Sequence, residues 1–329
     1  MTGRASVFSD DRVIEILTEE FVPVADNCSY TQSQKDAKGE FFRLIAEQGH
    51  YAGRTKPTAT RQGLYTATAD GELLASINTT NVDRVLKMLR AAIDKWQTEH
   101  VDGGAVTVPA VYEPDARYRR AFPEGGMTLR QTMRDLPRSG DLTFDTSRHN
   151  FDHVWLTGAE VAALAPTDLT PGTEYEIPPE VVRRVAQFHL VDQVRGEAPA
   201  WRTDSIRKAE LTLRVEEVDG AQVDIRLTGQ ARLVQPPSDR VNLFSSFKVD
   251  MERGVDVQLA GFLVYDTLEQ RFARFDMVAT GSRWGATVYN FRAEDLGPAP
   301  IGFAFALPPP TPGNLTPPKF VLWDYFRES

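Results

Sequence analysis

From about Thr203 to Val278 the chain alternates apolar and polar residues in long runs separated by short turns, and this pattern constrains the fold more than any other feature. Residues 209–215 and 223–227 flank Val218-Asp219-Gly220, where Asp-Gly supplies a hairpin turn. Residues 255–265 alternate again and return through 271–278. Turns this short leave no room for a crossover helix, so the strands must run antiparallel. They predict a meander curled into a half-barrel or barrel. The closing stretch GPAPIGFAFALPPPTPGNLTPP reads as one more strand followed by a stiff, proline-rich strap.

Ahead of the meander, Pro178-Pro179-Glu180 opens the helix VVRRVAQFHLVDQV, with proline suited to the first turn. Residues 176–329 therefore read as an α+β domain, a helix plus antiparallel strands. Residues 101–126 are rich in Gly and Pro, with broken periodicity and a basic Arg117-Tyr118-Arg119-Arg120 cluster. Their Val, Tyr and Phe content argues against a solvated linker. Residues 127–134 alternate like a strand, Val154-Trp155-Leu156 is a second short strand, and Thr157-x-x-Glu160 is a capping box. Residues 101–175 are expected to be an ordered connector with short strands and a helix.

The first hundred residues alternate helices with short strands. Ser9-Asp10-Asp11 is a helix start, with Val13, Ile14, Ile16 and Leu17 as its apolar positions. Phe21-Val22-Pro23-Val24-Ala25 reads as a strand, Asp26 and Asn27 as turn and cap. Residues 29–49 read as one helix with Phe41, Phe42, Leu44 and Ile45 as its buried stripe. A hairpin over 63–68 and 73–77 turns at Asp70-Gly71. Asn81 or Thr80 then caps a helix carrying Val82, Val85, Leu86, Leu89, Ile93 and Trp96 at three- and four-residue steps.

Cys28, the only cysteine, falls where that first strand meets its helix. A thiol in the first turn of a helix lies beside unpaired N–H groups and the positive end of the dipole. Both favour thiolate, lowering a cysteine pKa from about 8.5. Thr31, one turn on, can donate a hydrogen bond to the sulfur, and Lys35, Lys38 and Arg61 can add positive potential. A thiolate attacks disulfides and peroxides. With no second cysteine, the resulting sulfenic acid or mixed disulfide needs an external thiol to resolve it. The alternative is that Cys28 is a small, half-buried apolar residue.

Helix–strand–helix–hairpin–helix, with a thiol at the strand–helix joint, resembles the thioredoxin-like fold over residues 8–98. Three departures accompany the resemblance. Cys28-Ser29-Tyr30-Thr31 stands where that family carries Cys-x-x-Cys. The place of the family's cis-proline before the hairpin falls on Gln62, within Thr60-Arg61-Gln62-Gly63, with Pro57 too early to fill it. Only about a dozen residues separate the Cys-bearing helix from the hairpin, so the usual intervening strand and helix have no room. The resemblance implies an abbreviated α/β thioredoxin-like domain over residues 1–100, in which Arg61 and Gln62 approach Cys28. Most of the chain also resembles a group of planctomycete-type bacterial proteins with a shortened thioredoxin-like segment ahead of a partly β region. Gly39-Glu40-Phe41-Phe42, residues 60–65, residues 70–75 and residues 188–196 carry that likeness. It implies an architecture and no activity.

Composition narrows the partners. Lys+Arg number 37 against Asp+Glu 46, a net charge of −9, which argues against a general nucleic-acid binder and against docking on anionic lipid. No stretch approaches the ~20 apolar residues that span a bilayer. The start, MTGRASVFSDDRVIEILTEE, lacks the signature of a secretory signal. A single cysteine excludes an internal disulfide framework and fits a reducing compartment. The expectation is a cytoplasmic protein with no cofactor, no nucleic-acid partner and no membrane partner, whose oligomeric state the sequence leaves open.

Two other constellations carry chemistry. His149 and His153 stand four apart, but Thr146, Ser147 and Asn150 favour turns there, so they are expected to be exposed loop residues and no metal is assigned. His189, Asp192 and Arg195 recur at three-residue steps and are expected on one side of a helix. There Asp192 can fix the imidazole tautomer of a general base, or the three can pin the helix to the strands. No nucleophile elbow, Walker loop or dinucleotide fingerprint is present. Trp201, Trp284 and Trp323 are core residues or the rim of a barrel mouth holding an apolar molecule.

Two functions follow as expectations. One is a single-cysteine redox protein using Cys28, Thr31, Arg61 and Gln62 on a small-molecule or protein disulfide, or a peroxide, with an external thiol as partner. The other is a non-enzymatic module whose β-rich domain binds a ligand or a protein.

Overall fold

Period-two alternation runs through four consecutive strands of 14 residues each: β6 (Ile206–Asp219), β7 (Gln222–Gln235), β8 (Arg253–Asp266) and β9 (Arg271–Trp284). The computed structural model describes residues 7–8, 10–26, 28–52, 60–100, 121–138, 149–237, 251–287, 290–320 and 325–326. It divides the chain into two units, Gly3–Arg119 and Arg120–Ser329. Ser9, Asn27, Pro57, the basic cluster at 117–120, Thr146, Ser147 and Trp323 lie outside the described residues.

In the second unit these four strands belong to an eight-stranded sheet with β3 (Met127–Asp135), β4 (His149–Leu156), β5 (Glu174–Glu176) and β10 (Ala299–Ala306). Its order is β4-β3-β10-β9-β8-β7-β6-β5, antiparallel throughout. Odd-numbered residues of the long strands face inward: Leu211, Leu213 and Val215, then Val223, Ile225 and Leu227, Val255 and Val257, Met277 and Ala279, all buried. Each large apolar side chain so buried contributes about 1.5–3 kcal/mol relative to exposure. β3 and β4 come from the stretch expected to be a connector. They are instead part of the sheet, β3 hydrogen-bonded to β10.

Helix α6 (Pro179–His189) covers the inner face, its Val181, Val182, Val185, Ala186 and Phe188 joining the strands in one core. It touches both β6 and β4. Those strands lie six positions apart in the sheet order, about 29 Å on a flat sheet at ~4.8 Å per step. A helix about 10 Å across reaches both only because the sheet curls around it. Helix α5 (Gly158–Leu164) begins at the expected capping box, with the Thr157 hydroxyl and the Glu160 carboxylate each accepting the other's backbone N–H.

α6 stops at His189, five residues short of the expected end. Side chains take over its terminal carbonyls: Gln131 donates to the His189 carbonyl, Trp201 Nε1 to that of Leu190 at 2.8 Å and Asn150 to that of Gln193 at 2.9 Å. With those acceptors satisfied, nothing favours another turn.

In the first unit α1 (Asp11–Glu20), capped by Asp10, packs Val13 against Val85, Leu86 and Leu89 of α4 (Val82–Glu99). α4 also lies on β2 (Leu73–Ile77), which pairs with β1 (Leu64–Ala67) around Asp70-Gly71. Gly71 has φ +94, a conformation glycine adopts freely. Two expectations fail here. Residues 21–26 are irregular, with Val22 and Val24 90% and 83% exposed. Among the described residues β1 and β2 pair only with each other, and Pro23 lacks the N–H a central strand needs. The single helix over 29–49 is two: α2 (Cys28–Thr31) and α3 (Ala37–Gln48). Asp36 restarts the helix by accepting the Gly39 N–H at 2.9 Å, and Arg43 donates to the carbonyls of Gln32 and Gln34 in the gap. The expected stripe of α3 is only half-buried and Leu44 is exposed, while Gly39 and Ala46 form the buried contacts.

Candidate functional site

Cys28 is half-buried at the start of the four-residue turn α2. Its S–H donates to Gln32 Oε1 at 3.5 Å, and the same oxygen accepts the Arg61 backbone N–H at 3.1 Å. A backbone N–H can only donate, so it fixes which end of the Gln32 amide faces the pair. An acceptor at the sulfur matches a thiol and repels a thiolate. Arg61 approaches Cys28 with its backbone. Its buried guanidinium turns to Glu47, at 2.6 Å and 3.1 Å. Lys38 pairs with Asp26 at 2.5 Å, Lys35 is exposed and Thr31 is buried. Gln62 is exposed, its carbonyl 3.5 Å from His50 Nε2. Gln32, which links Cys28 to the loop before β1, carries no motif and was not legible in the sequence.

His189, Asp192 and Arg195 separate into two networks. Gln131 Nε2 donates to the His189 carbonyl, so its Oε1 faces the ring and accepts from Nδ1 at 3.1 Å, which leaves Nε2 to accept the Tyr325 O–H at 2.6 Å. Burial, reinforced by the charges of Arg184 and His153, pushes the imidazole pKa down to about 3. A neutral ring with both nitrogens engaged is a structural pin between α6 and β3, and a general base has no place there. The carboxylate facing it is Asp152, 3.8 Å from Nδ1. Asp152 itself is pushed up to about 6 by burial, against hydrogen bonds from the N–H groups of His153 and Lys319.

Asp192 and Arg195 belong to an Arg–Asp cage built on Arg292, which has no exposed surface. Arg292 binds both oxygens of Asp192, at 2.9 and 2.8 Å, and both of Asp135, at 2.9 and 2.6 Å. Arg195 reaches Asp135 at 2.8 Å and Asp295 at 3.1 Å, and Arg283 and Arg138 also hold Asp295. Burial raises the Asp135 pKa, but hydrogen bonds and charge from Arg292 and Arg195 outweigh it and hold the group below the ordinary carboxylate range. The cage fixes the segment between β9 and β10, with Arg283 also donating to the carbonyls of Asp295 and Gly297.

That segment forms one wall of an open groove of about 610 Å³ on the outer face of the sheet. Its floor is set by the register of β7, β8 and β9. Arg232, Asp256 and Ser282 stand abreast across the three strands, and Gln258 and Thr280 face each other two residues along. All are even-numbered and so point away from the core. Arg232 and Asp256 are 3.6 Å apart and offset each other's charge. Leu296 and Pro298 make the far wall. Trp284 extends the floor: its ring lies over its cross-strand neighbour Gly254, where a Cβ would come within 2.0 Å of it, and its Nε1 donates to Glu252 at 3.1 Å. This is a surface with hydrogen-bond donors, acceptors and an aromatic plane, and without a nucleophile–base pair.

Trp201 and Trp284 do not rim a barrel mouth, and Trp323 lies outside the described residues. Trp201 is buried under the Arg253 guanidinium, 4.2 Å from its ring centroid, and Trp284 is on the outer face. His149 and His153 are in strand β4, where they face Arg134 and Arg130 across the pair with β3. His149 is exposed, but His153 is buried, and burial followed by the Arg130 charge lowers its pKa. β4 extends five residues upstream of its expected start and carries them out of the loop. No group of three His, Cys, Asp or Glu side chains is placed to hold a metal among the described residues, and no helix there is long and apolar enough to cross a membrane.

The fold and sites define a mixed α/β chain with a large antiparallel sheet in its second unit. No protein-family model matches the chain, and no curated protein matches it.

Proposed function

We propose that this chain is a binding protein whose recognition surface is the outer face of β7, β8 and β9, with its first unit an abbreviated thioredoxin-like scaffold. The observation that carries the reading is the groove between Trp284 and Pro298, whose volume of about 610 Å³ falls in the range of small-molecule sites. Its side chains offer both donors and acceptors. The test is a thermal-shift screen of the full chain against a chemically diverse compound panel. A ligand of this groove raises the midpoint of unfolding in proportion to ln(1 + [L]/Kd), and Trp284→Ala removes the rise. A panel without effect, or a rise unchanged in Trp284→Ala, would overturn the reading.

A second reading, a thiol-dependent redox protein acting on a disulfide or peroxide, is favoured by one observation. Cys28 is partly exposed at the start of α2. In this reading the thiol ionises as it reacts, Thr31 and the start of α2 support the sulfur, Gln62 borders the approach, and an external thiol completes the cycle. Alkylation of Cys28 as a function of pH tests it: a rate whose midpoint lies well below about 8.5 supports it, and a rate that rises only on unfolding contradicts it.

A further inference from the structure

We propose that the outer groove takes a saccharide, with Trp284 as its stacking platform and the Arg232–Asp256 pair as the principal partner of its hydroxyls. The inference rests on the binding reading above and adds the ligand's chemistry.

The argument begins with Trp284. A tryptophan on a solvated strand face ordinarily adapts its rotamer to its neighbours, but here two features hold the ring. Its direct partner across the β8–β9 ladder is Gly254. The missing side chain lets Cζ2, Cε2 and Cη2 settle where a Cβ would be 2.0, 2.4 and 2.5 Å away. Glu252 Oε1 accepts the indole N–H at 3.1 Å, which satisfies the only polar atom of the ring. The ring is therefore flat against backbone on one side and fixed in azimuth, and its remaining accessible surface borders the groove. Such a plane offers an apolar face with a negative quadrupole, suited to the weakly positive C–H face of a sugar ring.

The floor completes the match. Arg232 supplies donors only, Asp256 acceptors only, and Gln258, Thr280 and Ser282 both. At 3.6 Å the Arg232–Asp256 pair is not a close contact, and a hydroxyl can accept from the guanidinium while donating to the carboxylate. A phosphate or carboxylate ligand would meet Asp256, and a cation would meet Arg232. An apolar ligand would strip water from five polar side chains without replacing it. A neutral molecule whose polar groups both donate and accept, and which carries an apolar face, satisfies every group on the floor. Polyhydroxylated rings are that class.

The experiment is isothermal titration of the full chain with four neutral probes, cellohexaose, maltohexaose, xylohexaose and chitohexaose, beside the compound panel used for the binding reading. At least one hexaose is expected to bind. Trp284→Ala and Arg232→Ala are each expected to weaken it about tenfold, the scale of one lost aromatic or charge-assisted contact. Gly254→Ala, which drives the ring off its seat, is expected to weaken it as well. Circular dichroism and the unfolding midpoint establish that each variant is folded, and Thr280→Ala gives a milder second variant should Trp284→Ala not fold. If no hexaose binds while another panel compound does so through Trp284, the saccharide is wrong and the binding surface stands. If neither binds, both are wrong. Hexaose binding unaffected by Trp284→Ala and Thr280→Ala overturns the assignment to this groove.

Discussion

Replacing Arg292 with methionine is expected to be among the most costly single changes in the second unit. The side chain has no exposed surface and makes four hydrogen bonds of 2.6–2.9 Å to Asp135 and Asp192, with a longer contact to Asp295. Methionine fills a similar volume, so the loss is electrostatic. Asp135 keeps Arg195, and Asp295 keeps Arg283, Arg195 and Arg138. Asp192, whose side chain is 10% exposed, loses both of its charge-assisted bonds and keeps a long contact of 3.4 Å to the Val194 N–H. Removing one partner of a buried pair costs about 3–5 kcal/mol. At about 2–4 °C per kcal/mol for a unit of this size, the midpoint falls by roughly 6–20 °C. Urea unfolding followed by tryptophan fluorescence reads the loss, since Trp155 and Trp201 are buried in the affected core. Adding Asp192→Asn to the variant removes the orphaned charge and recovers about 1–3 kcal/mol. Acid has a defined sign as well. Asp135 and Asp295 are held below their ordinary values, so the stability they give is present above the unfolded carboxylate pKa and is lost as pH falls below about 4. The gap between wild type and variant therefore narrows in acid. A loss under about 1 kcal/mol at neutral pH, the size of an exposed pair, would refute the reasoning.

Three further outcomes follow from the same geometry. The Asp152 pKa is raised to about 6, so its contribution is fully present below the unfolded value near 4 and is lost as pH rises to about 6. Unfolding free energy measured across pH 4–7 should show this loss, on the order of 2–3 kcal/mol, and Asp152→Asn should flatten it. His189→Leu takes the ring away from the Tyr325 O–H and from Gln131 Oε1, while Tyr325 still accepts the Trp155 N–H and Gln131 Nε2 still donates to the main-chain carbonyl at 189; at about 1–3 kcal/mol per orphaned atom, urea unfolding should show a loss of a few kcal/mol with groove binding intact. Gln32→Leu removes the acceptor at the Cys28 sulfur, and iodoacetamide should then alkylate Cys28 a few-fold faster at pH 7; an unchanged rate would mean that Gln32 does not hold the thiol.

The meander was legible because period-two alternation survives wherever one face of a sheet is buried, and β6 to β9 keep it over most of their 14 residues each. The capping box at Thr157 and the Asp-Gly turn were legible because each is decided within a few residues. What misled depends on long-range partners. Phe21-Val22-Pro23-Val24 has strand composition and finds no strand to pair with. VVRRVAQFHLVDQV has helical periodicity through Val194, yet Gln131, Asn150 and Trp201, distant in sequence, take its carbonyls. His189 and Asp192 are three apart in the chain and end in different networks for the same reason. The groove left the faintest trace, since polar residues at even positions are what any solvated strand face carries. Its one unusual feature, Gly254 opposite Trp284, becomes visible only once the register of β8 and β9 is known.

Hydroxyl-radical footprinting of the full chain, with and without the panel compound giving the largest thermal shift, tests the central claim most directly. Trp284, Leu296 and Pro298 line the groove, and they should be protected from oxidation on binding. Trp96, 36% exposed in the first unit, should react at an unchanged rate. Oxidation of Trp284 unaltered by the bound compound would contradict the assignment of recognition to the outer face of β7, β8 and β9.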